Sequence, residues 1–137
     1  MLIKTFSYKS AMLIFTLMFS IFLMATDYLR EAEYYQKQAV GYRREAEYYK
    51  KQAGNYEKEV TYYLKQAKKY MEEAQYYSKR GEFDKAKTQT SYADNATYKA
   101  NTQRRLADNA WDKYRTQIRY AEDAESKAMD YLRKARR

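Results

Sequence analysis

The chain of 137 residues contains no cysteine, no histidine and no proline, and it has only three glycines. The absence of cysteine excludes disulfides, thiol nucleophiles and thiolate metal sites. The absence of histidine removes the side chain that most often transfers protons or binds metals near neutral pH. Because proline and glycine are the residues that most often interrupt regular structure, their scarcity favours a few long helices over many short strands.

The same absences argue against catalysis. No serine has a histidine partner for triad chemistry, and three isolated glycines do not form a phosphate-binding loop. Carboxylates recur at Glu31, Glu45, Glu59 and Glu73, but on a helix that spacing separates neighbours by about 21 Å, too far to share a metal ion. We therefore expect no enzyme, no metal site and no cofactor.

Residues 1–26 differ from the rest of the chain. Lys4 and Lys9 precede an uncharged and largely apolar stretch, Ser10–Thr26. This order is typical of a secretory signal peptide, and the stretch is also close to the length that spans a membrane. We expect a cleaved signal peptide or a retained N-terminal membrane anchor, with residues 27–137 exported to the periplasm, the extracellular space or the outer side of the membrane.

The exported part is basic. It holds 25 of the 27 basic residues and all 18 acidic residues, which leaves a net charge of +7. This charge predicts attraction to an anionic envelope polymer or a membrane surface, while export disfavours nucleic acid as a partner.

A repeat with a period of two heptads governs the chain from Tyr28 onward. The doublet Tyr-Tyr recurs at 34–35, 48–49, 62–63 and 76–77. From Ala32 to Tyr77, small and aromatic residues alternate at steps of three and four, with Ala (once Val) at heptad position a and Tyr at position d. Such a strict heptad pattern predicts an α-helix in a left-handed coiled coil.

A turn interrupts this pattern near Gly81. Glycine suits the left-handed residue just past a helix end, and Asp84 suits the cap of a following helix. The predicted boundaries are helix 27–80, turn 81–83 and helix 84–136.

The segment Tyr76 to Lys87, Tyr-Tyr-x-Lys-x-Gly-x-Phe-Asp-Lys-Ala, resembles the turn between the two helices of a tetratricopeptide repeat. The resemblance is confined to this segment, and it implies a shared turn geometry rather than membership of that family.

Folding the chain at Gly81 predicts an all-α fold, a long antiparallel two-helix hairpin preceded by the apolar N-terminal helix. In this register, large residues of the first helix face mostly small residues of the second, which fills space well. The predicted core residues of the first helix are Tyr35, Tyr42, Tyr49, Tyr56, Tyr63, Tyr70 and Tyr77. Their partners, from the far end towards the turn, are Ala128, Ala121, Tyr114, Ala107, Ala100, Ala93 and Ala86. Because alanine buries little apolar area and glutamines enter the core, we expect the hairpin to pack into a larger helical bundle.

More aromatic and apolar residues lie outside this core. On the first helix, Tyr34, Tyr48, Tyr62 and Tyr76 share position c. On the second helix, Tyr92, Leu106 and Tyr120 alternate with lysines, and we expect them to line the same side of the hairpin. The opposite edge carries Trp111 and Ile118.

Two functions fit these features. The first is an exported structural or interaction protein of the cell envelope, a homo-oligomer that assembles through its tyrosine faces into a rod, bundle or filament. The second is a binding module for an anionic polymer, a lipid headgroup or another ligand along a face where lysine and tyrosine alternate.

Overall fold

The structure, a computed structural model, describes residues 8–136 and consists of two α-helices joined by a short turn. Helix α1 spans Tyr8–Lys79 and helix α2 spans Phe83–Ala135. No strand occurs among residues 8–136. The predicted all-α class and the helical hairpin are therefore confirmed.

Helix α1 begins earlier than predicted. The apolar stretch and the tyrosine repeat form one continuous helix from Tyr8, instead of two separate elements. No proline or glycine occurs before Gly41, so nothing in the sequence ends the helix at residue 26. Within the part of the chain that the structure describes, no helix has the length and apolar character needed to cross a membrane. The signal or anchor segment stays a prediction, and residues 1–7 of it lie outside the described range.

The turn satisfies the last carbonyl groups of α1 in the way the sequence suggests. Gly81 has a φ angle of +76°, which glycine adopts without steric cost. Its N–H donates to the Ser78 carbonyl at 3.0 Å, and the Glu82 N–H donates to the Tyr77 carbonyl, also at 3.0 Å. These two bonds form a Schellman motif, so Gly81 has the predicted left-handed role.

The predicted cap at Asp84 is wrong. Helix α2 begins at Phe83, and the Ala86 N–H donates to the Glu82 carbonyl at 3.0 Å, which makes Glu82 the N-cap. Its carboxylate bonds to Arg80 at 2.8 Å and to Lys85 at 2.5 Å, and the hydrogen bond from Lys85 is the main reason that the pKa of Glu82 is lowered. Asp84 lies within the first turn of α2, where a negative charge still suits the helix dipole.

Both helices contribute to two compact units. The first unit comprises Met1–Arg43 and Arg119–Arg137, and the second comprises Arg44–Ile118. Each unit contains a segment of α1 paired with a segment of α2.

The core of each unit is built from alanine. Among the described residues, every buried hydrophobic side chain is an alanine. The second unit buries Ala46, Ala53, Ala67, Ala74, Ala93, Ala96, Ala100, Ala107 and Ala110. The first unit buries Ala32, Ala39, Ala121, Ala124 and Ala128.

The predicted core tyrosines line these alanines without being enclosed. All seven position-d tyrosines from Tyr35 to Tyr77 are half-buried, as are Tyr114 and Ala86. A pair of helices covers an alanine methyl group completely, but it leaves the outer part of a phenol ring in solvent. The hairpin core is therefore thin, as the composition indicates.

Candidate interaction surface

The most distinctive exposed feature is a tyrosine that recurs every fourteen residues along α1, at Tyr34, Tyr48, Tyr62 and Tyr76, here called the tyrosine row. Tyr34 lies in the first unit and the other three lie in the second. Their side chains are between 54% and 58% exposed. The similar exposure follows from their equal spacing of two heptads along one helix.

Each ring of the row packs against the position-d ring that follows it in sequence. The four pairs have ring centroids 5.3–5.5 Å apart and interplanar angles of 66–72°, an edge-to-face arrangement. Edge-to-face packing is a preferred geometry for aromatic pairs. The row is therefore held in one orientation instead of extending freely into solvent.

A hydrogen bond fixes the outer end of each ring. The side-chain amides of Gln38, Gln52 and Gln66 donate to the hydroxyl groups of Tyr34, Tyr48 and Tyr62 at 2.7–2.8 Å. At the fourth tyrosine, Arg80 donates to the Tyr76 hydroxyl at 2.5 Å. The i,i+4 spacing places each donor one helical turn further on, a signal present in the sequence that the sequence analysis missed.

Lysines of α2 cover the position-d rings from the opposite helix. Lys85, Lys99 and Lys113 in the second unit lie 5.3–5.7 Å from the ring centroids of Tyr77, Tyr63 and Tyr49. In the first unit, Lys127 lies 5.7 Å from the ring of Tyr35. These distances fit cation–π contacts. The predicted register pairs each of these tyrosines with one residue of α2. In every case, the contacting lysine directly precedes that residue in the sequence.

The aromatic residues that alternate with these lysines contact different rings. Tyr92 lies 5.5 Å from Tyr70 in the second unit, and Tyr120 lies 5.5 Å from Tyr42 in the first. Leu106 is half-buried. Tyr92 and Tyr120 thus pack on position-d tyrosines that are not paired with a ring of the row.

The opposite edge of the helix pair, here called the polar edge after its side-chain hydrogen bonds, carries a contact between the helices in each unit, beside the exposed apolar residues Leu64 and Met71. In the first unit, Arg43 donates two hydrogen bonds to Glu125, at 2.7 and 2.9 Å. The hydrogen bond from Arg43 is the main reason that the pKa of Glu125 is lowered. In the second unit, the indole N–H of Trp111 donates to Glu57 at 2.8 Å.

The two predicted contact residues on this polar edge are less available than the row. Trp111 and Ile118 are half-buried. The Trp111 ring also packs edge-to-face on Tyr114, with centroids 5.5 Å apart. A residue already engaged within its own chain offers less surface to a partner, so these two are weaker candidates.

A basic column runs beside the tyrosine row. Its members lie at heptad position f and are all exposed: Lys37, Arg44, Lys51, Lys58, Lys65 and Lys79. In the second unit, an open hollow of about 560 Å³ lies next to Tyr62 and is lined by Lys65, Gln66, Lys68, Lys69 and Glu72. A ring beside several ammonium groups is able to bind an anion that also offers stacking or apolar surface.

Three glutamine side chains of α2 place their amide oxygens at the helix interface, where no other described residue donates a hydrogen bond to them. The Oε1 atoms of Gln89, Gln103 and Gln117 are buried and unpartnered. An unsatisfied buried acceptor costs on the order of 1–3 kcal/mol. These glutamines add polar groups to a core whose apolar part is thin.

No metal site is evident in the described part of the chain, where no three acidic side chains converge. Comparisons with protein-family models, with curated proteins and with solved structures found no match to this chain.

Proposed function

We propose that this protein is a structural protein of the cell envelope that self-associates through the tyrosine row into a larger helical assembly. The observation that carries the proposal is the row itself, four half-exposed rings in one repeated geometry. Aromatic rings dominate the energetics of protein interfaces. Rings that are already fixed lose little conformational entropy when a partner covers them.

The weakness of the isolated helix pair also supports assembly. Its core is formed by alanine methyl groups and half-buried rings, and it contains unpartnered glutamine oxygens. Further helices packed on the outer rings would add the apolar burial that this core lacks. In this proposal, the strict Ala/Tyr heptads wind into a left-handed coiled coil within the assembly.

The cellular place of the assembly follows from the N-terminal segment. Residues 1–26 act as a signal peptide or membrane anchor, and the tyrosine-rich helices are exported. The support is the sequence pattern, two lysines followed by an uncharged apolar stretch.

The test compares the full chain with a variant in which all four row tyrosines are changed to serine. We expect sedimentation velocity to show a concentration-dependent oligomer for the wild type and a loss of association of at least about tenfold for the variant, because the contact rings are gone. Circular dichroism of both proteins at low concentration checks that the helices remain. The apolar N-terminus is identical in both, so the difference reports on the row.

A matched control changes an exposed tyrosine outside the row. Tyr98 on α2 is 72% exposed, and Tyr98→Ser should leave association unchanged. If the four-serine variant associates as strongly as the wild type, self-association through the row is wrong.

A second candidate function is binding of an anionic polymer or headgroup. The hollow beside Tyr62, with three lysines in its lining, favours it. Adding polyphosphate or vesicles with an anionic lipid to the same sedimentation samples would separate the two functions. Binding that disappears between about 50 mM and about 500 mM salt would indicate the anionic partner.

A further inference from the structure

Two adjacent positions beside the tyrosine row carry lysines in one repeat of α1 only. In each of the first three repeats, a lysine and a glutamine follow the row tyrosine by three and four residues. The residues that follow it by six and seven positions differ between these repeats: Val40 and Gly41, Gly54 and Asn55, Lys68 and Lys69. The third repeat therefore concentrates lysines beside one exposed ring, that of Tyr62.

The structure brings these lysines together with that ring in one place. Lys65, Lys68, Lys69 and Tyr62 all line the open hollow of about 560 Å³ in the second unit. The one carboxylate in its lining belongs to Glu72, so three positive charges face a single negative charge. The volume lies in the range of small-molecule sites, which leaves room for an organic group as well as an anionic one.

The three ammonium groups are available to a ligand. Within the part of the chain that the structure describes, Lys65 forms no ion pair. Lys68 lies 3.9 Å from Glu72, and Lys69 lies 3.8 Å from Glu73. Ion pairs as long and as exposed as these stabilise a helix little. The lysines can therefore turn towards a bound anion at low cost.

The ring of Tyr62 is held in a fixed orientation. It packs edge-to-face on Tyr63 with centroids 5.3 Å apart, and its hydroxyl group accepts a hydrogen bond from Gln66 at 2.8 Å. A fixed side chain loses little conformational entropy when a ligand covers it. Its exposed surface suits the planar or apolar part of a ligand, while lysine ammonium groups bind phosphate as compact point charges.

We propose that the hollow beside Tyr62 binds a phosphate ester. Lys65, Lys68 and Lys69 hold the phosphate group, and the organic group lies against the ring of Tyr62. This inference rests on the second candidate function and deepens it, because it names the charged group and assigns one site to the third repeat. It does not depend on self-association through the row.

The experiment measures the affinity of the full chain for phenyl phosphate, a phosphate monoester with a planar ring, by phosphorus NMR of the ligand in a dilute sample. Lys68→Gln combined with Lys69→Gln should weaken binding by roughly tenfold, because two of the three cations are lost. The matched control combines Lys51→Gln with Lys58→Gln, which removes the same charge from the exposed basic column beside Tyr48. It should change the affinity by less than about twofold.

The second repeat allows the site to be transferred. The ring of Tyr48 has the same edge-to-face packing as Tyr62, and it accepts the same hydrogen bond, from Gln52. A Cβ atom at Gly54 has free space, and Asn55 is exposed. Gly54→Lys combined with Asn55→Lys should therefore allow a second molecule of phenyl phosphate to bind per chain. A grafted chain that binds no second molecule would contradict the proposed arrangement.

Vesicles of phosphatidylcholine, with and without phosphatidic acid, distinguish the source of the phosphate. If the Lys68 and Lys69 variant loses the preference for phosphatidic acid while phenyl phosphate does not bind the wild type, the ligand is a lipid headgroup. Lysine-dependent binding of phenyl phosphate indicates a soluble phosphate ester. The apolar N-terminus is the same in all variants, so differences between them report on the hollow.

Equal losses for the two lysine pairs would overturn the site in the third repeat. They would leave the second candidate function standing as a general attraction along the basic column. If the wild type binds neither phenyl phosphate nor polyphosphate and shows no preference for phosphatidic acid, the second candidate function is wrong as well.

Discussion

The two edges of the helix pair hold the helices together in different ways. On one edge, here called the aromatic edge, lysines of α2 lie over tyrosine rings of α1, and this contact recurs in both units. On the other, the polar edge, each unit has a contact of its own: an arginine–glutamate pair in the first and a tryptophan–glutamate hydrogen bond in the second.

This difference between the two edges shows how a sequence repeat spreads stabilising contacts along a helix pair. The aromatic edge spreads its contribution over many similar contacts that depend mainly on ring burial and packing. The polar edge concentrates its contribution in single contacts, of which the ion pair is sensitive to pH and salt. Three substitutions should separate these contributions.

The largest effect is expected on the aromatic edge from Tyr63→Ala. This change removes the half-buried ring that contacts both Tyr62 and Lys99. We expect the free energy of unfolding to fall by about 2–3 kcal/mol, somewhat less than for a fully buried aromatic residue. Urea denaturation at low protein concentration would measure it. Tyr62→Ala should lower the free energy of unfolding by less than half as much. Equal losses for the two variants would mean that a position-d ring stabilises the helix pair no more than a ring of the row.

A smaller effect is expected from Lys99→Gln, which removes the cation but keeps most of the side-chain length. The loss should be about 0.5–1 kcal/mol, as for an exposed cation–π contact. Lys58→Gln, at an exposed position of the basic column, is the control and should change stability little. Equal effects of the two changes would indicate a general charge effect instead of a contact with Tyr63.

The smallest effect is expected on the polar edge from Glu125→Gln, and it should depend on pH. Arg43 lowers the pKa of Glu125 in the folded chain, so the carboxylate contributes stability above its unfolded pKa. That contribution is lost as the pH falls through the lowered folded value.

The stability difference between wild type and Glu125→Gln should therefore be present near neutral pH and vanish in acid. Thermal unfolding at several pH values would measure it. A difference that persists at a pH well below the ordinary glutamate range would contradict the assignment to the Arg43 pair.

The buried side of α1 and the position of the turn could be predicted from the sequence, because they depend only on the spacing of residue types along the chain. The alternation of Ala and Tyr determines which side of α1 is buried, and Gly81 is the one described glycine whose setting requires a positive φ angle. The start of α2 differs slightly from the predicted one, within the typical margin for helix ends. Consequently, the capping role fell to Glu82 instead of Asp84.

Other features depend on side-chain orientation, which spacing does not determine. The bonds from Gln38, Gln52 and Gln66 to the row were detectable as i,i+4 pairs. In contrast, the unpartnered oxygens of Gln89, Gln103 and Gln117 result from how each amide is oriented against its neighbours. A heptad pattern places these glutamines in the core without showing whether their amides find partners.

Along α2, lysines alternate with the larger residues Tyr92, Leu106 and Tyr120. This alternation also disfavours hairpins in which the two helices pair in the wrong register. In the second unit, the ring of Tyr63 contacts both Tyr62 and Lys99. If α2 shifted along α1 by one heptad, alanines would still lie in the core. However, Tyr92 or Leu106 would then replace Lys99 beside the ring of Tyr63, which Tyr62 already contacts. A slip of two heptads would restore a lysine and leave a full sequence repeat without a partner helix. A hairpin that is misaligned by one heptad thus has too many large side chains at its aromatic edge, and one misaligned by two heptads leaves part of a helix unpaired. The contacts of the aromatic edge therefore favour the native register in addition to the contacts of the core.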